Sequence, residues 1–255
     1  EYNFVGLKNF IGVFKDQMMR HSLFNTIFYT FCTMILINLL AIPLAVFLDR
    51  NTKLKSVERA VFFFPSIVSG LLLGYIWGYI LSPMKTGALN TLLAVFGAGP
   101  IGFTATEWGA KISIILVAVW TSTGWYATIY LAYLQAIPNE YYEAAAIDGA
   151  SRWQQFTKIT FPLLAPGLTV NTLLLLTNGL KVYDLPYALT KGGPGYSNYT
   201  VTQVIIQRGL SEKQYGASTA LATIFIIIVA LIGVVESRDL FGCLTGMEFK
   251  SWLKW

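Results

Sequence analysis

The residues whose types and spacing could do chemistry are concentrated in one polar segment, residues 135–160, between two long apolar runs. Pro138 and Asn139 can start a helix, with the side chain of Asn139 accepting a backbone N–H as its cap. Glu143 lies early in that helix, where a negative charge suits the helix dipole. The three alanines that follow it favour helix and project almost nothing. Because such a face lets a partner's side chains approach the backbone, the chemistry predicted here is non-covalent docking.

The same segment predicts a second short helix directly after the first. Gly149 can adopt the left-handed conformation that ends a helix. Ser151, with Gln154 three residues later, is a capping-box pattern that begins the next one. Pro162 and Pro166 then mark the return to an apolar run. The whole segment is predicted to form a helix–turn–helix elbow.

Other kinds of chemistry find little support. His21 is the only histidine, and Cys32 and Cys243 lie far apart, so neither a metal site nor a disulfide framework is predicted. The chain contains no Gly-x-x-x-x-Gly-Lys-Ser/Thr motif, so it has no phosphate-binding loop of its own. The glycine-rich stretch 191–195 is predicted to be a turn. No basic cluster with interleaved aromatic residues suggests nucleic acid.

The elements that must position the elbow are membrane spans. Hydrophobic residues make up 55% of the chain and charged residues only 12%, against about 25% charged in soluble domains. Five apolar runs contain no Asp, Glu, Lys, Arg or His, and each is long enough to cross about 30 Å of hydrocarbon as a helix. The runs are residues 22–48, 60–81, 112–134, 161–180 and 217–235. We therefore predict an all-α, polytopic membrane helix bundle.

Loop charges give an orientation. The short loop 49–59 carries four basic residues, Arg50, Lys53, Lys55 and Arg59, which favours the cytoplasm for that loop and hence for the elbow. An odd number of spans then places residues 1–20 outside, so a sixth span upstream is expected.

Within the second run, Gly70, Gly74 and Gly78 recur at every fourth position. That ridge indicates either close helix packing or chance in a glycine-rich span.

Two motifs resemble those of a known family. Glu143-Ala144-Ala145 followed by Gly149, Ile159 and Pro162 is similar to the signature of permease subunits of binding-protein-dependent ABC importers. The form Glu-Ala-Ala-x-x-Asp-Gly-Ala, together with the stretch 183–195, resembles the carbohydrate-uptake branch of the maltose and multiple-sugar type. The resemblance implies that the elbow is a coupling helix received by a groove on a partner ATPase. The implied coupling residues are Glu143, Ala144, Ala145, Asp148 and Gly149.

The resemblance also implies the assembly. Residues 1–235 would be the permease domain and residues 236–255 a cytoplasmic tail of uncertain origin, either an interfacial helix or sequence foreign to the family. The chain would hold no cofactor and catalyse no reaction, because ATP-Mg would be bound by the partner ATPase dimer. Further implied partners are a second, non-identical permease subunit, an extracellular or periplasmic solute-binding protein, a sugar and the lipid bilayer. The implied location is a bacterial or archaeal cell inner membrane, crossed several times.

Charge-free spans argue for a neutral substrate, since buried charges normally mark ion and proton pathways. Polyhydroxyl substrates require amides, hydroxyls and aromatic faces. The predicted path residues are Trp125, Tyr126, Tyr130, Asn171, Thr172, Thr177, Asn178 and Tyr183. For each of them the ordinary alternative is an interfacial aromatic belt or a bond between neighbouring helices.

Three other functions stay open from the residues. An importer of glycerol phosphate, a polyamine or another small solute belongs to the same class of transporter. For an ion-coupled carrier or channel, uptake would continue after ATP depletion but would stop when the ion gradient collapses. A non-transporting membrane scaffold would copurify with no ATPase.

Overall fold

A computed structural model describes residues 5–50 and 53–252, with side chains described as far as Val234. Within these residues every regular element is helical and no strand occurs. The helices are α1 Lys8–Lys15, α2 Gln17–Leu48, α3 Lys55–Ile67, α4 Gly70–Ile80, α5 Ala88–Val95, α6 Glu107–Gln135, α7 Glu140–Ile147, α8 Arg152–Gln155, α9 Phe161–Leu163, α10 Ala165–Leu180, α11 Asp184–Thr190, α12 Val201–Ile206 and α13 Tyr215–Trp252. The side chains of the expected tail, 236–255, lie outside the described part.

Three helices are long and apolar enough to cross a membrane, namely Gln17–Leu48, Glu107–Gln135 and the Tyr215–Val234 part of α13. The number rises to five if each of two bent helix pairs counts as one span. These pairs are α3 with α4, and Arg152–Leu163 with α10, the second bent by 60°. The all-α membrane fold predicted from the sequence is confirmed. Its physical cause is that backbone polar groups in hydrocarbon must find partners within their own helix.

The chain divides into two compact units. The first comprises Glu1–Thr33, Val68–Val119 and Leu176–Leu231, and the second Met34–Ile67, Trp120–Leu175 and Ile232–Trp255. The core of the first unit includes Val13, Met19, Val201, Val204 and Leu221, and that of the second includes Ala41, Leu48, Leu131 and Leu164. Large apolar side chains also lie on the outside of both units, as expected where the solvent is lipid.

Glycines in the first unit allow two helices to approach closely. A Cβ built on Gly74 would lie 2.5 Å from Cβ of Ala188 in α11, and one on Gly70 would lie 3.4 Å from Cβ of Asp184. The same ridge continues at Gly78, where the nearest atom would be the carbonyl oxygen of Leu189 at 3.6 Å. The packing interpretation of these glycines is therefore confirmed, and the contact lies within the chain.

Candidate functional site

The elbow begins with α7, directly after Asn139. The carbonyl oxygen of Asn139 accepts the backbone N–H groups of Tyr142 at 2.9 Å and Glu143 at 3.0 Å. Its side chain makes no capping hydrogen bond, so the predicted side-chain cap is wrong. The reason is conformational, because Asn139 itself has helical dihedrals (φ −62°, ψ −25°) and not the extended ones that aim a capping side chain at the next turn.

The turn that ends α7 follows the prediction. Gly149 has φ +75°, which confirms the left-handed conformation. Its N–H donates to the carbonyl of Ala146 at 3.1 Å, and the N–H of Ala150 donates to the carbonyl of Ala145 at 2.9 Å. This pair of bonds is the Schellman arrangement, which satisfies the last carbonyls of a helix. No other atom lies within 4 Å of a Cβ built on Gly149, so backbone conformation alone demands glycine there.

The second helix starts at once, as predicted. Oε1 of Gln154 accepts the N–H of Ser151 at 2.7 Å, and Oγ of Ser151 accepts the N–H of Gln154 at 3.3 Å, which confirms the capping box. The chain then passes through a π-helical turn, Phe156–Thr160. The hydroxyl of Tyr142 lies 3.0 Å from Oγ1 of Thr160 and bonds α7 to this returning segment. The elbow is therefore held together by its own hydrogen bonds.

The outer face of the elbow has no cover within the described part of the chain. No residue of α7 is buried. Ile147 is 86% exposed and Trp153 is 71% exposed. Glu143 is exposed and forms no ion pair with any described residue. Exposed apolar side chains beside an unpaired carboxylate are features of a protein-docking surface.

Several predicted path residues meet in the second unit. The hydroxyl of Tyr130 donates to Oδ1 of Asn38 at 2.6 Å, and Nδ2 of Asn38 donates to Oγ1 of Thr172 at 3.5 Å. Nδ2 of Asn171 donates to the carbonyl of Tyr126 at 3.1 Å. Tyr130 and Asn171 are fully buried, and Tyr126 is 4% exposed. These side chains hold α2, α6 and α10 together within this unit.

Asn38 is the residue that sequence reasoning missed. It is the one amide between Cys32 and Leu48 in the first apolar run, and a lone amide in such a run was the available signal. In hydrocarbon an amide needs partners on neighbouring helices, so its position marks a contact between spans.

Trp125 differs from this buried group because 47% of its surface is exposed. Its ring lies 5.8 Å from that of Phe63 in α3, centroid to centroid. The neighbouring Gly124 permits this approach, since a Cβ there would meet the carbonyl oxygen of Phe62 at 1.9 Å. Trp125 is thus a half-exposed aromatic ring that is held by packing on one side.

The other predicted path residues lie in the first unit. Thr177 is half-buried and Asn178 is exposed. The rings of Tyr183 and Tyr187 stack at 5.2 Å with an interplanar angle of 12°. Desolvation, and then the negative potential of Tyr187, Asp184 and Tyr75, raises the pKa of the Tyr183 phenol. That phenol is a neutral hydroxyl beside an aromatic stack, which suits a hydroxyl-bearing ligand.

The glycine-rich stretch 191–195 and the residues that follow it to Tyr199 form a loop in the first unit, which we call the glycine-proline loop. The predicted turn at 191–195 is confirmed, and the loop is held by hydrogen bonds. Lys191 and Gly192 have φ of 50° and 83°. Nδ2 of Asn25 in α2 donates to the carbonyls of Ser197 at 2.6 Å and Tyr199 at 3.1 Å. The hydroxyl of Tyr29 bonds Oδ1 of the buried Asn198 at 2.5 Å. Among the residues that the structure describes, no group of His, Cys, Asp and Glu could hold a metal ion.

Comparison with known proteins decides the family. The profile described as "Binding-protein-dependent transport system inner membrane component" matches residues 9–236. The chain belongs to this family. It is a permease subunit of an ABC importer, and ATP hydrolysis is done by a separate subunit.

Curated relatives are similar along most of this permease. It is 33% identical to the probable starch degradation products transport system permease protein AmyD of Thermoanaerobacterium thermosulfurigenes, over 91% of this chain and 79% of the relative. It is 32% identical to the trehalose/maltose transport system permease protein MalF of Thermococcus litoralis, over 92% and 79% of the two chains.

A solved structure shares the fold of the permease. A bacterial ABC transporter involved in the import of the acidic polysaccharide alginate matches with a TM-score of 0.85 and 22% identity, over 94% of this chain and 85% of that chain. At this identity the match shows the fold alone. A bacterial alginate ABC transporter in complex with an alginate pentasaccharide-bound periplasmic protein also matches, with a TM-score of 0.83.

Proposed function

We propose that this permease carries a sugar or oligosaccharide across the membrane by alternating access, driven by ATP hydrolysis in a partner ATPase dimer. The observation that carries the proposal is the elbow, whose helices are joined by hydrogen bonds and whose outer face is not covered by any described part of the chain. Glu143, Ala144, Ala145, Asp148 and Gly149 form the coupling surface. The ATPase groove receives α7, and a basic residue of the ATPase pairs with the free carboxylate of Glu143.

The elbow's hydrogen bonds explain how movement passes to the spans. The Schellman turn at Gly149 and the capping box at Ser151 fix α7 relative to α8. The bond between Tyr142 and Thr160 fixes α7 relative to the segment that leads into α10. A displaced α7 therefore moves with its neighbours as one body, and does not simply bend at a flexible loop.

Sugar as the substrate class is supported by three independent features. The named relatives above include permeases for starch degradation products and for trehalose and maltose. The five apolar runs carry no charge, which suits a neutral solute. Trp125 and the stacked Tyr183 and Tyr187 offer aromatic faces next to hydroxyl groups.

The proposed assembly places the permease in a bacterial or archaeal cell inner membrane as a multi-pass subunit. A second, non-identical permease completes the path, and a solute-binding protein outside the cell delivers the sugar. The elbow and the loop 49–59 face the cytoplasm, where the ATPase is.

Glycine 149 allows a sharp test with a matched control. Gly149 and Gly97 share φ +75°, and a Cβ on either would contact nothing within 4 Å. Alanine strains both backbones equally, by about 1 kcal/mol, so any difference reports on function. We expect Gly149→Ala to lower sugar uptake per ATP hydrolysed in proteoliposomes, and Gly97→Ala to leave this ratio unchanged. Gly149→Pro should uncouple the importer more completely, because proline cannot take positive φ.

The carboxylate of Glu143 is tested by a binding assay with the partner ATPase. Glu143→Gln should weaken capture of the ATPase on the assembled permease, whereas Glu140→Gln, on the same exposed helix, should not. Normal coupling in both Gly149→Ala and Glu143→Gln would refute the coupling role. Uptake that persists without ATP but collapses with the ion gradient would instead support an ion-coupled carrier.

A further inference from the structure

The amphipathic helix α3 carries an apolar groove on its outer face, in the second unit. The groove is lined by Ser56, Val57, Ala60, Val61 and Phe64 and has a volume of about 490 Å³. These positions are spaced by one, three, one and three residues, so they form one continuous stripe along the helix. We call this stripe the α3 face. Its largest side chains are open, with Val57 58%, Val61 63% and Phe64 64% exposed.

Four basic residues precede α3 or lie in its first turns, next to the N-terminal end of the α3 face. Arg50 and Lys53 are exposed in the preceding loop, and Lys55 and Arg59 lie in the first turns of α3. The guanidinium of Arg50 lies 5.4 Å from the ring centroid of Phe47, which holds this cation at the end of α2. The two carboxylates of residues 49–59, Asp49 and Glu58, leave this stretch with a net positive charge.

Arg59 is a half-buried cation near the start of α3. Its Nε and Nη2 atoms are enclosed and have no hydrogen-bond partner among the described residues. An enclosed guanidinium is costly unless an acceptor completes its hydrogen bonds. The surface therefore suits a ligand with an anionic group at the basic end and an alkyl chain along the groove.

We propose that this surface binds an anionic phospholipid. Its phosphate lies among the cations at the start of α3, and one acyl chain lies along the α3 face. A lipid explains both halves of the surface, because the cations and the groove adjoin at the start of α3. A free phosphate would account only for the cations, and a second protein chain only for the apolar groove. Clusters of basic residues beside a span are a known form of anionic-lipid recognition.

The test uses the complete importer in nanodiscs, so that every subunit interface is formed. A bimane probe on Val57→Cys, in a Cys32→Ala/Cys243→Ala background, reports contact with lipids whose acyl chains carry bromine. We expect brominated phosphatidylglycerol to quench the probe more strongly than brominated phosphatidylcholine. In Lys53→Gln/Lys55→Gln the preference should fall by about fivefold for each lysine removed. The matched control Lys8→Gln/Lys85→Gln removes the same charge from two other exposed positions and should keep the full preference.

Three results would overturn the proposal. Equal quenching by the two lipids would show an ordinary apolar surface without headgroup recognition. Absence of quenching by either lipid, with Val61→Cys crosslinking to another subunit, would show that a protein covers the α3 face. Loss of the preference in inorganic phosphate, but not in chloride at the same ionic strength, would show that the cations recognise a free anion and not a lipid.

Discussion

The hydroxyl of Tyr130 in α6 donates a 2.6 Å hydrogen bond to Oδ1 of Asn38 in α2, and neither helix supplies a charge nearby. The same asparagine donates through Nδ2 to Thr172 of α10 at 3.5 Å. One amide thus joins three helices inside the second unit. Because Tyr130 is fully buried, its hydroxyl depends on hydrogen-bond partners inside the protein.

Removing this amide should loosen the helix contacts. We expect Asn38→Leu to destabilise the permease by about 1–3 kcal/mol, because it removes the acceptor of the buried Tyr130 hydroxyl and the amide that donates to Thr172. Tyr130→Phe should cost less, since Asn38 keeps Thr172. A double-mutant cycle, measured by reversible unfolding in mixed micelles, should give a coupling energy of about 1 kcal/mol. Strictly additive effects would mean that the two residues do not act together.

Exposure divides the aromatic residues of the predicted path into two groups, and we expect only the exposed group to contact a sugar. Trp125 is 47% exposed, whereas Tyr130 is 0% exposed. Trp125→Ala should raise the KM for uptake by about three- to tenfold, the worth of one aromatic contact, with a smaller change in kcat. Tyr130→Phe should leave KM almost unchanged. The opposite pattern in a transport assay would place the solute against the buried cluster.

The contact between α4 and α11 should be sensitive to a single methyl group. Gly74→Ala puts Cβ 2.5 Å from Ala188, so we expect a loss of about 1–3 kcal/mol of stability. Gly78→Ala is the matched control, because its Cβ would lie 3.6 Å from the nearest atom. It should be neutral or slightly stabilising, since alanine favours helix. Adding Ala188→Gly to Gly74→Ala should recover part of the loss in a thermal unfolding assay.

Asn25 should control the order of the glycine-proline loop. Its amide donates to the carbonyls of Ser197 and Tyr199. In Asn25→Leu we expect amide exchange within residues 192–199 to rise by about tenfold, corresponding to about 1.4 kcal/mol of local stability. Thr33→Val is the control on the same helix, because Thr33 bonds only carbonyls of α2. Unchanged exchange in Asn25→Leu would mean that other contacts hold the loop.

The sequence alone determined the features that depend on local chemistry. Charge-free apolar runs must be helical in lipid, so the fold class followed from composition and length. The turn at Gly149 and the capping box at Ser151 and Gln154 depend on residues within a few positions, and both were predicted correctly. The predicted cap at Asn139 failed because its own backbone is helical, a choice that its residue type leaves open.

Only the tertiary structure decided which side chains meet. The spacing of Tyr130 and Thr172 gives no sign that Asn38, far away in the chain, joins them. The same is true of Gly74 and Ala188, whose approach depends on how two helices pack. Polar and small residues in a span look the same in the sequence whether they face a solute or a neighbouring helix. Burial separates these cases, and burial is a property of the packed helices and not of any single one.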